Sequence, residues 1–215
     1  MVITKRARLL APPFVGTRIR IRVDDPLDFM IKTATLADGS DRIVVDWGDG
    51  LTDVYNASLV DVRHPYSKPG EYTVKISDDI AKVGIGYKTP ATVYSAIYAP
   101  MVIGFESNAS KLTTLPAFAF HNALNLSSLN VSNSGLNSLT NAAFKGCSTL
   151  AGALYFPKVT SIAGTTATTL PFCECLGIAE LHFGEQNKGV IMELPSWELS
   201  GGKFGAENAT VFFDL

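Results

Sequence analysis

Between Lys111 and Gly184 one apolar skeleton is written three times. Phe120, Phe144 and Phe172 mark the same position in successive copies, at steps of 24 and 28 residues. Six residues after each comes Leu126, Leu150 or Ile178. An apolar-x-apolar triplet follows: Leu129-Asn130-Val131, Leu154-Tyr155-Phe156, Leu181-His182-Phe183, with one extra residue before the second. Leu112-x-x-Leu115 and Leu136-x-x-Leu139 lead into their Phe, and Val159-x-x-Ile162 does so in the third copy after an insertion of five. A unit this short cannot bury its own apolar face, so the copies must stack, with the triplets side by side as a parallel strand ladder. Ile97-Tyr98-Ala99 and Val211-Phe212-Phe213 continue the pattern, giving five expected rungs led by Ile97, Leu129, Leu154, Leu181 and Val211.

The first ninety residues carry a different pattern. Thr17-Arg18-Ile19-Arg20-Ile21-Arg22-Val23 alternates strictly, three Arg on one face and Ile19, Ile21 and Val23 on the other, as in a half-buried strand. Further strands are expected over 29–34, 42–46, 52–55 and 72–76, separated by Gly, Asp and Pro, and short strands at this spacing indicate an antiparallel sandwich. The expected fold is therefore mainly β: a sandwich over residues 1–90, then a short solenoid over 91–215 with a C-terminal cap. The repeat period lies in the leucine-rich-repeat range. The sandwich is expected to cover one end of the stack and the segment 185–208, with Pro195, Trp197 and Gly201-Gly202, the other, because a bare terminal coil exposes unpaired backbone groups.

Charge supports this division. All seven Arg precede residue 64, and residues 1–90 hold 13 of the 18 basic and 12 of the 20 acidic side chains, which places a boundary near Lys88-Thr89-Pro90. A net charge of -2 argues against nucleic acid as a partner, since that binding needs clustered cations. No apolar run approaches the roughly 18 residues of a spanning helix. Lys5, Arg6 and Arg8 before Leu9 to Val15 make a poor signal peptide, interrupted by Pro12 and Pro13 and without a small-x-small cleavage site. Arg18, Arg20 and Arg22 form either a stripe for an anionic ligand or, as is commoner, a solvated strand face.

Val44-Val45-Asp46-Trp47-Gly48-Asp49-Gly50, followed by His64-Pro65-Tyr66 and Pro69-Gly70-Glu71-Tyr72-Thr73-Val74, resembles the polycystic-kidney-disease (PKD) type of immunoglobulin-like domain. The resemblance covers about residues 15 to 85 and implies a spacer or presenting domain of an extracellular protein. Gly48 and Gly50 suit a tight hairpin, and Trp47 offers a large ring to a small core. Asp46, Asp49 and Asp53 could be read as calcium ligands, but turn chemistry explains them more simply. His64 is expected to be a hydrogen-bonded structural residue.

The repeats are similar to the BspA-like leucine-rich-repeat family of bacterial surface proteins. Ala143-Phe144-Lys145-Gly146-Cys147-Ser148-Thr149-Leu150 carries that family's unit, Ala119-Phe120-His121-Asn122-Ala123 carries it with Ala for Cys, and Pro171-Phe172-Cys173-Glu174-Cys175 has Pro for Ala. The resemblance implies adhesion or recognition of host proteins or surfaces. Cys147 and Cys175 fall three residues after the reference Phe, where Ala123 stands in the first copy, so a small buried side chain is wanted there. A bridge between them remains geometrically open. Cys173-x-Cys175 lacks further partners at zinc-finger spacing. Asn56, Asn108, Asn125, Asn130 and Asn208 begin Asn-x-Ser/Thr triplets, which the bacterial likeness discounts as glycan sites.

If the flanking triplet residues point inward, the middle ones, Tyr98, Asn130, Tyr155, His182 and Phe212, point out and align on stacked strands. This column is the expected ligand-binding surface, taking a surface protein or a glycan without a cofactor or metal. The alternative is that it packs on itself or on the cap. Nothing marks an enzyme: only His64, His121 and His182 are present, with no Gly-x-Ser-x-Gly elbow and no phosphate loop. The expectation is a non-enzymatic adhesion protein of a bacterial surface. The alternatives are a structural component of a surface or phage-like assembly and, more remotely, an accessory region of a hydrolase.

Overall fold

The computed structural model describes residues 13–25, 27–86, 97–164, 169–184, 206 and 209–213. The Arg-alternating segment is strand β1 (Gly16–Val23), and its inward residues Ile19, Ile21 and Val23 are fully buried. The strands expected over 29–34, 42–46, 52–55 and 72–76 are β2 (Asp28–Leu36), β3 (Ile43–Asp46), β4 (Thr52–Tyr55) and β6 (Gly70–Ser77). Two further strands, β5 (Leu59–Pro65) and β7 (Ile80–Gly84), complete the N-terminal part. These strands make two antiparallel arrays, β1-β6-β3-β4 and β7-β2-β5, whose buried faces contribute to one core around Trp47, Phe29 and Met30. In a constant-type immunoglobulin sandwich the first strand lies beside the second and the last beside the sixth. Here the two are exchanged: β1 lies beside β6, and β7 beside β2.

The turn from β3 to β4 is fastened from several sides. Trp47 stacks on His64 at 4.6 Å, its indole N–H donates to Asp53 at 2.8 Å, and Tyr66 Oη donates to the Trp47 carbonyl at 3.0 Å. Asp46 and Asp49 accept from the backbone N–H of Gly48 and Leu51, and His64 Nε2 lies 2.8 Å from Asp49 Oδ2. The three aspartates thus serve the turn, and among the described residues no three His, Cys, Asp or Glu stand together as a metal cluster.

The two arrays continue into the repeats. β8 (Val102–Ser107) pairs antiparallel with β1, and β10 (Ser128–Asn130) pairs parallel with β8, Leu129 opposite Phe105. On the other side β9 (Thr114–Leu115) joins β7 in parallel, and β11 (Ser138–Leu139) and β13 (Ser161–Ile162) extend it coil by coil. Each of these two sheets has six strands drawn from both parts of the chain. The sandwich therefore covers the first coil by sharing its hydrogen bonds. A third, parallel sheet consists of β12 (Ala151–Phe156), β14 (Gly177–Phe183) and β15 (Thr210–Phe213). The chain is thus mainly β, with N-terminal sheets leading into a parallel β-solenoid of about three turns; among the described residues a 3-10 turn, Ala99–Met101, stands between them.

Inside the solenoid the reference column is a stack of rings. Phe120 and Phe144 lie 5.5 Å apart at 7°, Phe144 and Phe172 5.3 Å apart at 1°, and all three are fully buried. Phe105 from β8 closes the column against Phe120 at 4.7 Å. The turns are tied by backbone bonds from coil to coil: Phe120 N to Ala143 O and Phe144 N to Pro171 O, each 2.7 Å. Pro171 is tolerated because this ladder uses its carbonyl, not the N–H it lacks. Two residues after each Phe, Asn122, Gly146 and Glu174 all have positive φ, which explains the Asn or Gly of the repeat unit. Cys147 and Cys175 are fully buried free thiols, each donating to the carbonyl of the preceding coil's Phe, at 3.2 and 3.0 Å. Burial, and then the contact with Cys175, push the Cys147 thiol well above its ordinary range.

The expected five-rung ladder is broken in two places: β10, which carries Leu129, pairs with β8 and not with β12, which lies in a separate sheet, and the first rung comes from another stretch of sequence. The first strand is Val102–Ser107, with Phe105 at the position assigned to Ile97. Pro100 is the second residue of the 3-10 turn, and Tyr98, which caps the turn, is buried. The basic start of the chain, the boundary near Lys88, and Trp197 with most of the expected C-terminal cap lie outside the described residues.

Candidate recognition face

The five residues expected on one column divide among three environments. Tyr98 is 3% exposed; its hydroxyl donates to Asp28 Oδ2 at 2.9 Å, and the Arg63 guanidinium lies over its ring at 5.7 Å. It is a core residue and leaves the column, its segment running into the 3-10 turn Ala99–Met101 instead of a ladder strand.

Asn130 is exposed, but it ends β10 in the sheet shared with β8 and β1. Its Oδ1 accepts from Ser132 N at 3.3 Å and Ser132 Oγ at 2.6 Å, an Asx turn that stops the strand after three residues. β12, which carries Tyr155, belongs to a separate sheet with β14 and β15, where the register shifts between Gly152 and Ala153 to skip Ala179 of β14 and Gly152 takes φ +80°. The outward column is therefore interrupted after Asn130 and restarts at Tyr155.

Tyr155, His182 and Phe212 do form one surface. They face each other directly across β12, β14 and β15, in register with the flanking rows Leu154, Leu181, Val211 and Phe156, Phe183, Phe213. Tyr155 and His182 stack at 4.5 Å and 18°, His182 and Phe212 at 4.5 Å and 10°. Tyr155 is 44% and Phe212 37% exposed. His182 Nε2 lies 2.9 Å from Glu180 Oε2, two residues back on the same strand and so on the same face. The neighbouring outward row is Ala153, Glu180 and Thr210, small or polar residues beside the rings. Both faces of His182 and one face each of Tyr155 and Phe212 are taken by the stack. What the column offers outward is a strip of ring edges, with the phenol oxygen at one end and the imidazole–carboxylate pair in the middle.

The Arg stripe has a more differentiated geometry than its sequence indicated. Arg18 pairs with Glu106 at 3.0 Å and Arg22 with Glu71 at 2.7 Å, each the cross-strand neighbour of its arginine. Arg20 stands opposite Thr73 on one side and Gly104 on the other, and its Nη2 donates to Ser128 Oγ at 2.8 Å. Sequence alternation reveals the arginines, but Gly104 and Ser128 lie 84 and 108 residues from Arg20, and no local pattern connects them.

Among the described residues no helix is long and apolar enough to cross a membrane. No protein-family model matches the chain, and no curated protein or solved structure matches it either.

Proposed function

We propose that this chain is a non-enzymatic recognition protein of a bacterial surface whose binding face is the outer side of β12, β14 and β15. The observation that carries the reading is the in-register stack of Tyr155, His182 and Phe212, three large side chains kept partly in solvent on a rigid ladder. Rings held by their neighbours lose little further entropy on binding, which is one reason aromatic residues dominate recognition surfaces. The ladder favours a protein ligand over a glycan. A sugar needs an open ring face to lie on, and these faces are largely occupied, whereas ring edges flanked by a hydroxyl and a carboxylate suit an apolar side chain with polar neighbours. The likeness of the repeats to BspA-like surface proteins, and of the Trp47 turn to PKD-type domains, points to the same class of activity.

A second reading, a component of a surface or phage-like assembly, is favoured by β15: among the described residues it ends its sheet, with Phe212 and Phe213 both partly exposed. The two readings separate in one experiment. The purified chain is applied to arrays of extracellular-matrix proteins and glycans beside a Tyr155→Thr, His182→Thr, Phe212→Thr variant, which keeps β-compatible side chains. Recognition predicts a protein ligand whose binding persists in high salt and weakens at least about tenfold in the variant. Absence of any ligand, together with self-association that the variant abolishes, would replace recognition by assembly.

A further inference from the structure

On the outer face of the sheet formed by β10, β8, β1, β6, β3 and β4, almost every cation is matched by a carboxylate. Arg18 pairs with Glu106, Arg22 with Glu71, and Lys75 with Asp46 at 2.9 Å. Arg20, in the middle of the stripe, has a hydroxyl instead. It lines a cavity of about 340 Å³ together with Arg18, Glu106, Thr73, Ser128 and Asn130, over a floor of Phe105 and Leu129. Two guanidinium groups against one carboxylate leave the lining with one net positive charge. Two groups beside Arg20 are turned to donate. Asn130 Oδ1 is occupied by Ser132, which turns the amide N–H2 outward as a donor, and Ser128 Oγ, accepting from Arg20, keeps its own hydrogen to donate. Gly104 makes room for this arrangement: a Cβ there would stand 2.7 Å from both Arg20 Nε and Ser128 Oγ.

We infer that this cavity binds the carboxylate or other singly charged oxyanion of a small hydroxyl-bearing acid, the class to which sugar acids belong. Arg20 takes the oxyanion through its planar fork, Ser128 and Asn130 donate to it, and Thr73 and Glu106 are placed to meet hydroxyl groups. The volume is at the lower end of ligand pockets, the size of one such unit rather than a chain of them. The site is independent of the aromatic column, which lies on the third sheet.

The test is calorimetric titration of the full chain with galacturonate, with galactose as the neutral counterpart, and with oligogalacturonide. Galacturonate should bind, galactose at least about tenfold more weakly, and added salt should weaken the acid alone. Arg20→Gln and Asn130→Ala, both at exposed positions, should each reduce galacturonate affinity, the first at least about tenfold, while Arg22→Gln, whose partner is Glu71, leaves it unchanged. A tighter oligogalacturonide would identify the acid as part of a polymer, and equal affinity a single terminal or free acid; both outcomes support the site. Equal binding of galactose, undiminished binding by Arg20→Gln with unchanged thermal unfolding, or no heat with any of the three ligands overturns it.

Discussion

At the residue scale, the most constrained positions are those where backbone and side chain are fixed together. Gly48 has φ +83°, and a Cβ there would lie 2.6 Å from the Thr73 carbonyl oxygen. Gly48→Ala should therefore destabilise the chain by about 1–3 kcal/mol or more, since strained φ and a backbone clash add; denaturant unfolding measures it. Gly50, also at positive φ but with open space around it, should tolerate the same change better. The aspartates of this turn set the acid limit. Burial opposes ionisation of Asp49, yet its bonds to His64 and to the Leu51 N–H, with the His64 charge, hold it below the ordinary value of 3.8. Asp46 is lowered against burial by Lys75 and the Gly48 N–H, and Asp79 by Ser40, Ser77 and Lys111. A carboxylate with a depressed folded pKa contributes stability that is complete above the unfolded value and is lost as pH falls through the folded one. Stability should thus be flat near neutrality and decline below about pH 4, and Asp49→Asn should shallow that decline. A chain whose stability fell equally between pH 8 and 6 would show other groups in control.

At the element scale, the repeat is a device for stacking rings. Phe144 is sandwiched between Phe120 and Phe172 with no exposure, so Phe144→Ala should cost roughly 3 to 5 kcal/mol by equilibrium unfolding. Cys147→Ala should cost much less, because Ala123 fills the same column in the first coil and only weak thiol contacts, with the Phe120 carbonyl and Cys175, are lost. Unchanged stability in the Phe variant would mean that the column is not the core of the coil. These elements were legible in the sequence because the repeat writes its core explicitly: the Phe and Leu positions take the core roles their spacing indicates, and the triplets of the second and third copies pair in register. The first rung was not. Ile97-Tyr98-Ala99-Pro100 resembles Leu154-Tyr155-Phe156-Pro157 in composition, but Tyr98 is buried and bonded to half-buried Asp28 seventy residues away, a contact that no local pattern announces. The break between Asn130 and Tyr155 was equally hidden: an Asx turn ends β10, and β12 pairs with β14 in a separate sheet.

At the scale of the whole molecule, the exchange of β1 and β7 relative to an immunoglobulin sandwich matters most. It puts β1 and β7 where β8 and β9 can extend both sheets into the solenoid. Composition marks two parts, yet hydrogen bonding joins them, so calorimetry should record one cooperative transition; two well-separated ones would show parts that fold alone. The three-residue face was readable as a row of triplet centres, but its division from Asn130 and Tyr98 needed the tertiary pairing. The central claim, that recognition uses β12, β14 and β15, is tested most directly by hydrogen exchange of the chain with and without its captured protein ligand. The account predicts new protection concentrated in residues 153–156, 180–183 and 210–213. Protection confined to the sandwich strands, with these three segments exchanging as in the free chain, would contradict it.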